Sequence, residues 1–170
     1  VYVQSGAIAS GQLTLVSRSG ETTPLTAEPK AFEGPGLSPD GRRLAVGIAE
    51  SKGGSRDVWV LDVTQHAWSR LTTDGISERP VWTPDGRRLV YSSNADLWWI
   101  AADGSGHPDS LLVANGSRYA GTVSPDGRTV VFQSFSSDFI ENDFNNGRDV
   151  FVLRLEAGDS DGDGLPDDWE

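Results

Sequence analysis

The chain predicts an all-β fold, a β-propeller of four-stranded antiparallel blades, on three observations. A turn signal recurs three times, as Ser38-Pro39-Asp40-Gly41, Thr83-Pro84-Asp85-Gly86 and Ser124-Pro125-Asp126-Gly127. The same succession of strand-like runs follows each copy. In every unit the third run is apolar at four successive positions: Val58-Trp59-Val60-Leu61, Leu97-Trp98-Trp99-Ile100 and Val150-Phe151-Val152-Leu153. A strand without polar alternation needs cover on both faces. Four-stranded sheets of about 43 residues stacked face to face supply that cover.

Each element follows from local chemistry. In the turns, Pro presets φ, Asp tolerates the bridge or left-handed region, and Gly takes the positive φ that closes a bulged hairpin. The turn glycines Gly41, Gly86 and Gly127 are 45 and 41 residues apart. A short segment precedes each turn (Gly36-Leu37, Val81-Trp82, Thr122-Val123) and a run of β-formers follows it (Leu44 to Ile48, Leu89 to Ser92, Thr129 to Phe132). An acidic residue, Asp57, Asp96 or Asp149, then introduces the apolar third run; Leu13-Thr14-Leu15-Val16 fits the same slot behind Gln12. A polar tip leads to a short fourth strand at Thr23 to Thr26, Arg70-Leu71-Thr72 and Ser110-Leu111-Leu112. No helical periodicity competes, so helix content is expected to be close to nil.

These units divide the chain into propeller repeats over 1–156, with a partial blade at 1–30 and blades at about 31–74, 75–115 and 116–156, followed by an acidic segment at 157–170. That makes about three and a half blades, too few to close a ring. An open arc would leave unpaired edges and an apolar face exposed. The reading preferred over an open arc is that the chain, which begins without Met, is part of a longer polypeptide.

Composition removes several function classes. The 170 residues are 36% hydrophobic, enough for a core. There is no cysteine, hence no disulfide framework and no thiolate metal site. A net charge of −11 opposes phosphate backbones, so nucleic acid is not an expected partner. No apolar run approaches the ~18 residues of a membrane-spanning helix.

The pattern Pro80-Val81-Trp82-Thr83-Pro84-Asp85-Gly86-Arg87-Arg88-Leu89-Val90-Tyr91-Ser92-Ser93, followed by Asp96-Leu97-Trp98-Trp99-Ile100 and Ala102-Asp103-Gly104, resembles the WD40-like repeat of TolB-type bacterial propellers. The resemblance implies an exported protein, periplasmic, cell-surface or extracellular. Such repeats are found in envelope assembly proteins, in the propellers of prolyl oligopeptidase-type hydrolases and on sensor regions of bacterial kinases, so they imply fold more sharply than function. The leading expectation is a non-catalytic module that presents loops to a protein or glycan partner. The alternative is the propeller of a larger hydrolase or kinase sensor, with the catalytic part outside this chain.

The strongest chemical signal is Asp159-Ser160-Asp161-Gly162-Asp163-Gly164-Leu165-Pro166-Asp167-Asp168-Trp169-Glu170. Asp159, Asp161, Asp163, Asp167 and Glu170 fall on the oxygen-ligand positions of an EF-hand calcium loop, with the carbonyl of Leu165 between them and Gly164 at the sharp turn. The segment is similar to thrombospondin type 3 calcium loops. It lacks a preceding helix-forming stretch, and Pro166 lacks the N–H that pairs a second loop. Calcium is the expected cofactor; a solvated acidic linker is the plainer alternative. A second oxygen-rich run, Asp143, Asn145 and Asp149 around Gly147, holds either a cation or only Asx turns.

Other prominent residues read as scaffold. Trp59, Trp98 and Phe151 share a repeat position and are expected in the core between blades. Trp98 and Trp99 must point to opposite faces. His66 and His107 sit in solvated hairpin tips with no Ser or Asp in triad relation, and no nucleophile elbow, phosphate loop or zinc motif occurs. The pairs Arg42-Arg43 and Arg87-Arg88 are expected to form a hydrated rim.

Overall fold

The computed structural model describes residues 10–49, 54–113, 116–135 and 147–155. Among them every regular element is a strand. A two-stranded piece, β1 (Thr14–Val16) with β2 (Thr22–Pro24), precedes a sheet of β3 (Ala31–Leu37), β4 (Arg43–Ala49), β5 (Arg56–Asp62) and β6 (Ala67–Arg70). A second sheet contains β7 (Glu78–Trp82), β8 (Arg88–Ser93), β9 (Asp96–Ala101) and β10 (Asp109–Leu112). The third contains β11 (Arg118–Val123), β12 (Thr129–Ser134) and β13 (Asp149–Arg154). All pair antiparallel with sequence neighbours, which is the meander of a propeller blade.

The unbroken apolar runs behave as expected: alternate side chains of one strand feed two different cores. On β9, Trp98 and Ile100 pack toward the first full sheet, with Val58, Val60, Leu89 and Tyr91. Leu97 and Trp99 pack toward the third, with Val130, Phe132, Phe151 and Leu153. A further core, Leu13, Leu25, Leu44 and Leu61 with Trp68, joins the β1–β2 piece to the first full sheet. On β13 only one face is covered: Phe151 stacks on Phe132 at 5.4 Å, whereas Val150 and Val152 are 64% and 57% exposed. The expectation that both faces of this run are covered therefore fails for β13 among the described residues.

All three turns are built alike. The amide of Gly86 donates to the Thr83 carbonyl at 2.9 Å, and Arg88 N–H donates to Thr83 Oγ1 at 3.0 Å. Asp85 Oδ1 accepts from the Thr83 hydroxyl and from Arg87 N–H. Ser38 with Asp40, and Ser124 with Asp126, repeat the scheme. The Ser38 hydroxyl and then the Arg42 amide hold Asp40 below its ordinary carboxyl value; Ser124 and Arg128 do so for Asp126. Gly41, Gly86 and Gly127 have φ of 71°, 70° and 69°, the left-handed region an L side chain resists.

The inner strands are longer than expected. The segments before the turns extend back to Ala31, Glu78 and Arg118 through a register shift in each, and Pro35 and Pro80 lie in the first two irregular stretches. An irregular edge strand accommodates Pro because a missing N–H costs no ladder bond there. Counting back from the turns, Gly34 and Arg79 are equivalent, and both have φ of 55°. For Arg79 this costs about 1–2 kcal/mol. A Cβ on Gly34 would lie 3.0 Å from Arg79 Cα, in addition to that strain.

Gly34→Ala should therefore lower unfolding free energy by about 1–3 kcal/mol, measured by urea denaturation. Arg79→Gly, which relieves the same backbone strain, should change it by less than about 1 kcal/mol.

Candidate functional site

The strand directions sort the loops into two ends. One end carries the tight turns at 38–41, 83–86 and 124–127 and the hairpin tips at 63–66 and 102–108. The opposite end carries the β8–β9 link, the connections between sheets at 25–30 and 71–77, and residues 113, 116 and 117. His66 and His107 are both exposed at the turn end, far along the strands from the connections. Among the described residues no Ser or Asp forms a triad with either.

The turn end is self-satisfied, and the arginine pairs show how. Arg42 and Arg87 are exposed, but Arg43 and Arg88 are not a hydrated rim as expected. They are the first residues of β4 and β8, with guanidinium carbons 4.7 Å from the ring centres of Trp82 and Trp99. Arg43 also donates to the Gly86 carbonyl at 2.6 Å, and Trp82 Nε1 donates to the Gly36 carbonyl at 2.9 Å. Consecutive residues at a strand start point to opposite faces, so one arginine of each pair is turned onto a tryptophan, Arg43 onto that of the neighbouring sheet and Arg88 onto that of the next strand in its own sheet.

The connection end is held by carboxylates whose role is absent from simple turn chemistry. Asp57, 2% exposed, pairs with Arg70 and accepts from Thr72 Oγ1 at 3.1 Å and Gly75 N–H at 3.2 Å. Asp96 Oδ1 lies 3.0 Å from Nη1 of Arg118, whose side chain is fully buried and also donates to the carbonyls of Ala95 and Gly116. Asp57 and Asp96, which introduce the third strands of the first two full sheets, thus tie each of those sheets to the segment that enters the next. Asp74 accepts from the hydroxyls of Ser77 and Ser93, and burial followed by Asp74 pushes the Tyr91 phenol well up.

Three adjacent inner strands bring Glu33, Glu78 and Tyr119 to equivalent positions at this end. Arg56, at the start of β5, donates to Glu78 at 2.5 Å and lies 3.6 Å from Glu33. Burial raises the Glu33 carboxyl above its ordinary 4.5; Arg56 opposes this and the nearby Glu78 adds to it. Arg79 lies over the Tyr119 ring at 4.5 Å. Arg148 approaches the same ring at 5.4 Å and Phe135 at 4.8 Å, and donates to Gln133 Oε1 at 3.1 Å. The result is a mixed patch of a carboxylate pair bridged by one arginine beside an aromatic pair bearing two more. Single-sequence reading missed it because the residues come from different repeats, and only the common distance to the turns signals their convergence.

The calcium-loop residues Asp159, Asp161, Asp163, Leu165, Asp167 and Glu170 lie outside the described residues, as do Asp143 and Asn145. Asp149 opens β13 opposite Ser134. Among the described residues no three His, Cys, Asp or Glu side chains converge as a metal site.

A raised carboxyl value means that the folded state binds the Glu33 proton more tightly than the unfolded chain. Stability from this group is full below pH 4.5 and is lost as pH rises through the folded value. Glu33→Gln should flatten the decline in melting temperature from pH 4.5 upward, as followed by circular dichroism.

No family model matches the chain. It is 26% identical over 142 residues to the Tol-Pal system protein TolB of Francisella tularensis, covering 81% of this chain and 33% of that protein. It is 31% identical over 133 residues to an uncharacterized protein of Agrobacterium fabrum, covering 75% and 42%. The chain thus spans about a third of the length of the TolB relatives it matches. The crystal structure of TolB from Acinetobacter baumannii superposes with a TM-score of 0.67 at 15% identity, covering 85% of this chain and 35% of that one. A prolyl endopeptidase structure superposes with a TM-score of 0.55 at 15% identity, covering 81% and 23%. The chain folds as a stretch of β-propeller blades, and in sequence it is similar to about a third of the length of the TolB proteins.

Proposed function

We propose that this chain is a non-catalytic binding module of an exported bacterial protein, and that it engages a protein partner through the connection end. One observation carries the reading. The two ends are chemically unequal: the turn end spends its polar groups on its own turns and on neighbouring sheets, while the connection end gathers Glu33, Arg56, Glu78, Arg79, Tyr119, Phe135 and Arg148. Aromatic and arginine groups in one patch are the composition of protein-binding hot spots. The relatives named as Tol-Pal system proteins support a role in an assembly rather than in turnover. The likeness to a prolyl endopeptidase favours one second reading, a propeller that accompanies a hydrolase domain.

In this reading the segment from Asp159 to Glu170 binds calcium. A single unpaired loop binds with a dissociation constant of about 10⁻⁴–10⁻³ M, which is useful where calcium is millimolar, as outside the cytosol. The ion neutralises carboxylates that otherwise repel one another. Asp143, Asn145 and Asp149 are a weaker second candidate, since Asx turns account for them equally well.

A photo-crosslinking residue at Val113, exposed at the connection end, should give discrete protein adducts in envelope extract, while one at Gln65, exposed at the turn end, should not. Equal labelling from both positions would sink the choice of end. Terbium luminescence should report saturable binding displaced by calcium, weakened at least tenfold by Asp161→Ala. A flat titration removes the metal from the account.

A further inference from the structure

Arg79 and Arg148 are arranged unlike the other arginines of this end. Arg56 is committed to Glu33 and Glu78, Arg70 to Asp57, and Arg118 to Asp96. Arg79 and Arg148 form no ion pair with a described carboxylate; Arg79 acts on Glu33 only through a longer-range attraction, weaker than that of Arg56. They converge on one ring, Tyr119, at 4.5 and 5.4 Å. A guanidinium held over an aromatic ring keeps in-plane N–H groups for another partner. Only Arg148 spends a donor, on the neutral Gln133. Arg79 is held there by a backbone in the left-handed region that its counterpart meets with glycine.

We propose that Arg79, Tyr119 and Arg148 form a carboxylate-binding site, and that its ligand is an acidic peptide segment carrying an apolar side chain beside its carboxylate. This rests on the reading of the connection end as a protein-binding surface and names the chemistry that surface selects. A carboxylate that meets the in-plane N–H groups of either guanidinium accepts charge-assisted, bidentate hydrogen bonds. Phe135, 49% exposed next to Arg148, offers the apolar contact. An acidic glycan fits less well, because sugars stack on open aromatic faces and the Tyr119 ring already carries two guanidinium groups.

The probe is the peptide acetyl-Glu-Phe-Glu-amide, with acetyl-Gln-Phe-Gln-amide and trigalacturonate as comparators. Binding to the full chain is followed through the Arg Nε–Hε resonances, assigned with the variants. The glutamate peptide should bind saturably and shift the Arg79 and Arg148 signals; Arg79→Lys and Arg148→Lys should each weaken it at least tenfold. The exposed Arg18→Lys should leave it unchanged. Lysine keeps the charge but loses the fork, so loss on substitution reports geometry rather than net charge. Equal binding of the glutamine peptide, preference for trigalacturonate, indifference to both Lys variants, or no binding would each overturn the proposal. Crosslinking from Val113 that persists in both Lys variants would overturn it as well, while leaving the choice of end intact.

Discussion

Face-to-face burial of successive sheets is the constraint on which the rest depends. No sheet here is thick enough to own a core; each apolar side chain of β5 or β9 finds cover only because another sheet lies on that side. Burying a large aliphatic or aromatic side chain is worth roughly 1.5–3 kcal/mol, far more than an exposed ion pair at about 0–1 kcal/mol. The apolar cores therefore set the spacing of the sheets, and the polar groups at their ends adjust to that spacing. Arg43 on Trp82 and Arg88 on Trp99 illustrate the adjustment: charged stems lie along apolar neighbours at the margin of each core.

The ion pairs act at a different level. Asp57 and Asp96 are largely buried, and Arg70 and Arg118 are their partners. Such pairs add little net stability, since desolvation offsets attraction, but removing one partner leaves a costly charge behind. Their effect is geometric. They fix where the chain leaves one sheet and enters the next, and so place Glu33, Glu78 and Tyr119 side by side.

Much of the fold was legible in the residues. The turn signal, the four successive apolar positions and the acidic residue before them imply the strand order found, and two-faced burial that holds for β5 and β9 but not for β13 among the described residues; Trp98 and Trp99 diverge as alternation requires. The inner strands were read too short, because Pro35, Pro80 and the neighbouring glycines look like strand breakers when the compensating bulge is not visible. The arginine pairs were read as a rim because composition does not say which of two neighbours faces a tryptophan. The candidate site was not legible at all as a motif: its members come from all three sheets, with Glu33 and Arg148 standing 115 positions apart. Conversely, the clearest motif, Asp159 to Glu170, is a local one in which ligand spacing is set by the loop itself.

The unequal faces of the sheets have a consequence for how damage spreads. Units that touch only their neighbours behave as a linear chain of couplings, in which stability is a sum of unit terms and junction terms. The β7–β10 sheet sits in two junctions, whereas β13 offers Val150 and Val152 to none among the described residues. Lesions at Tyr91 and at Leu97 therefore loosen junctions on opposite faces of the same sheet, while one at Val152 stays where it is made. Mutational tolerance along this chain is thus a matter of rank within the stack as much as of burial.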